Sequence, residues 1–271
     1  MIRANFHTHT TFCDGADTPE EMVDRALALG FSALGFSGHM DPEVSMDWDA
    51  YSAEVRRLAS AHAGKLDILL GAELDSCFDP ATCAGAEYLI GSTHYVPVDG
   101  TLVCVDDTPE RIAKECGEFF GGDWYALARA YFDFEAQVVE RTNCAFVGHF
   151  DLVTRFNDQL RFLDEDDPRY LGPALACMEH LVSRDVPFEI NTGALAKGRK
   201  AEPYPCGRLL RALCDMGGRI VISSDAHEKG LLAGAFSEAE EMALEAGFTH
   251  ACVLGHDEFG AVTWREVPLD A

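Results

Sequence analysis

Residues 5–15 read NFHTHTTFCDG, an apolar approach that ends in two histidines and an aspartate, and the same arrangement returns further along the chain. The later stretches are GFSGH at 35–39, LLGAEL at 69–74, LIGSTHY at 89–95, FVGHFD at 146–151 and IVISSDAH at 220–227. Each closes a short β-type run with side chains able to ligate a metal: His7, His9, Asp14, His39, Glu73, His94, His149, Asp225 and His227. Neutral imidazole and ionised carboxylate are the ligand set of hydrolytic zinc, iron or manganese sites, and nine such groups exceed what one ion takes up. The pattern points to a hydrolase with several metal ions.

The runs that carry these residues predict strands at 2–8, 32–38, 67–74, 88–94, 145–150, 187–193 and 219–225. Helix-length amphipathic segments separate them, at 18–30, 49–63, 108–119, 124–142, 168–184, 204–217 and 236–246. In the first helix Thr18 is the N-cap, Pro19 takes the first turn, Glu21 completes a capping box and Gly30 stops it. Alternation of this kind builds βα units and a parallel sheet, here about seven of them. In a parallel barrel the catalytic side chains project from the C-terminal ends of the strands. All nine residues lie at that end of their runs, whereas His62, His180, His250 and His256 fall elsewhere and read as surface or helix positions. Residues 97–107, in the longest insertion, suggest a hairpin or loop over the site.

Composition narrows the class. The 271 residues contain 48 % hydrophobic and 25 % charged side chains, with no linker-like stretch, so we expect one domain over residues 1–271. Ten scattered cysteines without CxxC spacing suggest reduced, buried thiols in a reducing compartment. No segment has the length of a membrane span and the N-terminus lacks a signal-type apolar region, which implies a cytoplasmic protein with no membrane partner. A net charge of -25 argues against a nucleic-acid partner and means that any phosphate needs local cations. Oligomeric state leaves no trace in the sequence.

His7 and His9 are two apart on a strand and share a face, as do Asp225 and His227. A carboxylate ending a strand as apolar as that before Glu73 needs a cation, because burying it alone costs several kcal/mol. Any one segment alone fits a hydrogen-bonded core histidine or a solvated acid. Their coincidence at one rim favours the metal reading.

On these motifs the chain resembles the PHP superfamily, named for polymerase and histidinol phosphatase, from His7 to His227. HTHTTFCDG, GSTHY, GHFD and EINTGA resemble the monofunctional histidinol-phosphatase branch in particular. The resemblance implies an α/β fold, a distorted (β/α)7 TIM-like barrel, holding three divalent ions (Zn, Fe or Mn). It also implies a partition: His7, His9, Glu73 and Asp225 for the first ion; Glu73 as a bridge with His94 and His149 for the second; Asp14, His39 and His227 for the third.

Such a site suits hydrolysis of a small phosphomonoester, with Asp225 or His227 helping to protonate the leaving oxygen, and the resemblance implies L-histidinol phosphate as the first candidate. Arg155 resembles the family's phosphate-contacting arginine. Where some relatives carry a second arginine the chain has Ala196, with Lys197, Arg199 and Lys200 close by; Lys197 and Arg199 are candidate phosphate contacts. Asp106 and Asp107 either bind a cationic amine or begin the helix capped by Thr108. Another phosphate ester, a C–N bond cleaved by a metallo-amidohydrolase, and a non-catalytic module are the alternatives.

Overall fold

Seven parallel strands, adjacent in space in the order they occur in the chain, form the centre of the computed structural model, which describes residues 2–269. They are β1 (Ala4–Asn5), β2 (Ala33–Phe36), β3 (Asp67–Asp75), β4 (Tyr88–Ser92), β5 (Phe146–Val147), β6 (Phe188–Asn191) and β7 (Ile220–Ser223). An extra short strand, His39–Met40, pairs with the end of β3 and sets His39 opposite Glu73. The alternation expected from the sequence is therefore an α/β barrel, with every strand but β3 shorter than its apolar run and β3 reaching one residue beyond it, to Asp75.

The seam between β1 and β7 explains the distortion. No ladder joins them; a single bridge pairs Thr8 with Ala226, His9 N donating to the Ala226 carbonyl at 2.9 Å and Ala226 N to that of His7 at 3.2 Å. Below it the Asn5 amide stitches the gap, donating to the Leu232 carbonyl (2.9 Å) and accepting from Ser224 N (3.3 Å) and His7 N (3.1 Å). This brings HTH and SDAH, from opposite ends of the sequence, edge to edge.

Helices cover the outside. Thr18 caps Pro19–Ala28 with Glu21 completing the box, as expected. The segment expected as one helix over 124–142 divides into Trp124–Glu135 and Val138–Thr142, the second turning so that Val138 and Thr142 press on Gly91 of β4, where a β-carbon would come within 2.6 Å of Val138. The helix expected from residue 204 begins at Gly207, because Tyr204 instead pairs with Asn191 at the edge of β6.

The barrel interior is filled from below. Phe6, Leu69, Tyr88, Ile90, Phe146 and Val221 pack inside it, and the Tyr88 hydroxyl donates to the Phe6 carbonyl at 2.7 Å. Gly35 and Gly71 make room for that ring: a β-carbon at either would lie 2.3 Å from Tyr88. A hairpin of His250–His256 and Val262–Pro268 closes this end, with Cys252, Val253 and Leu254 on the core. It was absent from the strand expectations, and His256, expected at the surface or in a helix, ends its first strand between Asp67 (2.6 Å) and Glu87 (2.7 Å). All ten cysteines are free thiols. Among the described residues no helix is long and apolar enough to cross a membrane.

Candidate metal centre

One carboxylate at the end of β3 organises the opposite mouth. Glu73, 1 % exposed, turns Oε1 toward His149 Nε2 (2.9 Å) and His94 Nε2 (3.3 Å), and Oε2 toward His39 Nδ1 (3.0 Å), His7 Nε2 (3.2 Å) and His9 Nε2 (3.5 Å). The Ser92 hydroxyl donates to Oε1 at 2.8 Å. Asp225 approaches from the seam, its Oδ1 3.2 Å from His9 Nε2, 3.4 Å from His227 Nδ1 and 3.7 Å from His7 Nε2. Asp14 completes the outer side, 3.1 Å from His227 Nε2 and 3.6 Å from His39 Nε2.

All nine residues expected from the sequence thus meet. Donor atoms lie within 4.8 Å of one another in the groups His9, Asp14, His39, His227; His7, His9, Glu73; His39, Glu73, His94; and His7, His149, Asp225. The grouping implied for the third ion recurs with His9 added, while His39 also reaches the Glu73 and His94 side.

These atoms are not satisfied by one another. His7 Nε2, His9 Nε2, His39 Nδ1 and Glu73 Oε2 are buried without a hydrogen-bond partner, although each faces the others. Ligands held at about 2.0–2.2 Å around one tetrahedral ion stand roughly 3.3–3.6 Å apart, close to the separations seen here. The donor set fits divalent cations.

Electrostatics divide the donors: His9 and the carboxylates are held in the ligating form, whereas His7, His39 and His94 are drawn toward the protonated form, so a cation bound there would take the place of their protons. Burial lowers the His9 imidazole, aided by His227 and His39, to about 3, leaving it neutral at physiological pH. Burial works the same way on His7 and His94, yet the carboxylates of Glu189 and Glu73 around His7, and of Glu73 and Asp106 around His94, outweigh it and raise both. Burial would protonate Glu73 and Asp225, but the surrounding imidazoles, His7 foremost, hold both well below the usual carboxylate range. The carboxylates stay ionised, as ligands must be.

The sequence pattern of the PHP domain matches residues 5–193. The chain belongs to the PHP family. It is 30% identical over 263 residues, covering 89% of this chain and 92% of the relative, to a Deinococcus radiodurans protein named "Probable histidinol-phosphatase". Among solved structures, a Listeria monocytogenes protein named "putative histidinol phosphatase" superposes with a TM-score of 0.76 at 21% identity, covering 87% of this chain and 99% of the other. Histidinol phosphate phosphatase from Lactococcus lactis, solved with zinc, L-histidinol and phosphate, gives 0.72 at 21% identity, over 93% of this chain and 96% of that one. Both likenesses establish the barrel.

In this PHP chain the candidate ligand residues rest on a second set of acids that the sequence reading missed. Glu189 Oε1 lies 2.7 Å from His7 Nδ1, and its Oε2 accepts from His149 N (2.8 Å) and Asn191 Nδ2 (3.0 Å). Asp75 lies 3.3 Å from His94 Nδ1 and accepts His94 N at 2.8 Å. The signal was present in FEIN, a glutamate inside an apolar strand, which is the test that singled out Glu73.

The centre opens into a cleft of about 530 Å³ lined also by Arg155, Lys197, Arg199 and Asp106. All three expected cations therefore face it. Ala196 lies instead against Gly234, where a β-carbon on that glycine would come within 2.8 Å. Of the two acids considered for an amine, Asp106 lines the cleft 3.6 Å from Arg155, whereas Asp107 pairs with Arg111 (3.5 Å) beside the Thr108-capped helix Pro109–Phe120.

Proposed function

We propose that this PHP chain is a single-domain, metal-dependent phosphatase that hydrolyses a small phosphomonoester, L-histidinol phosphate first, to L-histidinol and phosphate. The observation that carries the reading is the juxtaposition, in one cleft, of the imidazoles around Glu73 with the cations Arg155, Lys197 and Arg199. The relative from Deinococcus radiodurans and the ligands in the Lactococcus lactis structure support the substrate.

His7, His9, Asp14, His39, Glu73, His94, His149, Asp225 and His227 would hold three divalent ions of zinc, iron or manganese. Bound there, the ions would neutralise phosphoryl oxygens and acidify a water near neutral pH. Arg155 has the planar fork that pairs with two phosphoryl oxygens, and Lys197 and Arg199 add charge where the chain's -25 would otherwise repel the substrate. Asp106 is the carboxylate for the substrate's amine. Of the two groups considered for protonating the leaving oxygen, Asp225 is held ionised, which leaves His227, open to the cleft, to assist that protonation by way of a water beside it rather than with its own proton.

Near the end of the middle strand β3 the chain offers the carboxylate of Glu73 and no lysine for carbamylation, which favours phosphoester over C–N cleavage. Metal analysis should give close to three ions per chain, and phosphate release should be fastest with histidinol phosphate in a panel that includes sugar phosphates, nucleoside monophosphates and phosphotyrosine. A better ester elsewhere in the panel moves the substrate and keeps the class; no phosphate release with any reconstituted metal removes the class.

A further inference from the structure

Lys200 is the cation of the 197–200 loop that does not face the cleft. Its side chain is 3 % exposed and turns inward, Nζ donating to the Thr154 carbonyl (3.3 Å) and hydroxyl (3.1 Å). Asp158 and Glu165 flank it at 3.8 and 3.9 Å, and the Tyr204 ring lies 5.6 Å away. Asp151, Glu165 and Cys206 form a cluster here that resembles another cation site by its donors alone. The Lys200 ammonium already stands among those acids as their counter-charge.

Burying an ammonium carries a desolvation penalty, and an apolar side chain of equal length would fill the space without it. What the charge adds is an address. Thr154 belongs to the turn Leu152–Thr154, and Arg155 is its next residue, held by a bond from its N–H to the Leu152 carbonyl at 2.8 Å. On the other side, Arg199 N and Lys200 N both return to the Ala194 carbonyl (2.9 and 3.4 Å), so the backbone between Lys197 and Lys200 is a tight loop with Gly198 at φ 63°. Ala201 N adds a tie to Asp158 at 2.9 Å. One buried ammonium therefore pins the loop bearing Lys197 and Arg199 to the turn bearing Arg155.

We propose that Lys200 is a positioning residue for anion recognition, which clamps the Lys197–Arg199 loop onto the Arg155 turn so that three cations from two segments converge on one phosphoryl group. The inference rests on the phosphatase reading above. It assigns Lys200 no contact with substrate; its effect passes through Lys197 and Arg199.

The test uses the metal-reconstituted full chain and inorganic phosphate, measured by titration calorimetry and as an inhibitor of p-nitrophenyl phosphate hydrolysis. Lys200→Met should retain the metal content of the wild type and weaken phosphate binding about tenfold, raising KM more than it lowers kcat. Arg199→Ala should weaken binding in the wild-type background and do little more in Lys200→Met, because a loop released from its clamp no longer presents that guanidinium. Lys200→Gln, which keeps a donor for Thr154, should recover part of the loss and covers the case in which Lys200→Met does not fold. Unchanged phosphate affinity in Lys200→Met, or in Lys200→Gln should Lys200→Met not fold, or fully additive losses with Arg199→Ala, would overturn the proposal. Absence of phosphate binding by the wild type would instead bring down the phosphatase reading itself.

Discussion

Glu189 Oε1 sits 2.7 Å from His7 Nδ1 with both side chains fully buried, so the ring's other nitrogen, Nε2, is aimed at Glu73 and Asp225. The acid fixes the orientation of the imidazole and makes it a better donor to a cation. Its second oxygen holds the backbone N–H of His149, so one carboxylate braces two proposed ligand residues from different strands. Glu189→Gln should lower metal affinity by about 10–100-fold, read as faster loss of metal to a chelator, while the apo protein keeps its circular dichroism. Wild-type retention would show that the brace has no bearing on the metals.

Leaving-group chemistry separates Asp225 from His227. Asp225→Asn removes a carboxylate held ionised among His7 and His9, so it should depress hydrolysis of an alkyl phosphate and of p-nitrophenyl phosphate alike, by about 100-fold or more. His227→Asn should cost the alkyl ester about tenfold more than the nitrophenyl ester, whose leaving group needs no proton. Equal losses for His227→Asn remove it from that protonation.

Asp106 offers a specificity test. If its carboxylate binds the substrate's amine, Asp106→Asn should raise KM for histidinol phosphate by about tenfold and leave esters without an amine unchanged or improved, since Arg155 loses a competing partner 3.6 Å away. A uniform loss across both kinds of ester would assign Asp106 to the architecture of the cleft.

The latch of the C-terminal hairpin should respond to pH. Burial lowers the affinity of His256 for a proton, but hydrogen bonds to Asp67 and Glu87 outweigh it and leave the folded value above 6.5. The native state therefore holds this proton more tightly than the unfolded chain. Its contribution is full below about pH 6.5 and disappears as pH rises through the raised folded value. His256→Gln should destabilise by about 0.5–1 kcal/mol at pH 5.5 and by clearly less at pH 9, in urea unfolding at both. A penalty that does not shrink at pH 9 would contradict this account.

The readable part of the molecule was the part written in contiguous runs. Apolar strands ending in His7, His39, Glu73, His94, His149 and Asp225 announced both the parallel barrel and the mouth, because a strand places its last side chains at its own C-terminal end whatever surrounds it. The Thr18 capping box was equally local. The hairpin at 250–268 was missed although HACVLGH carries a continuous apolar run and VTWREVP alternates in part, because its role depends on the open end of a barrel that no local window contains.

By itself the sequence determined which groups are chemically able to bind cations and phosphate, and the order in which strands deliver them. Only the tertiary structure decided which nitrogen of each imidazole turns inward, that His9 and His39 each belong to two overlapping groups, that Glu189 stands behind His7, and that Lys200 points away from the cleft its neighbours line. Side-chain identity fixes donor chemistry residue by residue. Direction depends on neighbours tens to hundreds of positions away, as when Ala226 meets Thr8 across the seam.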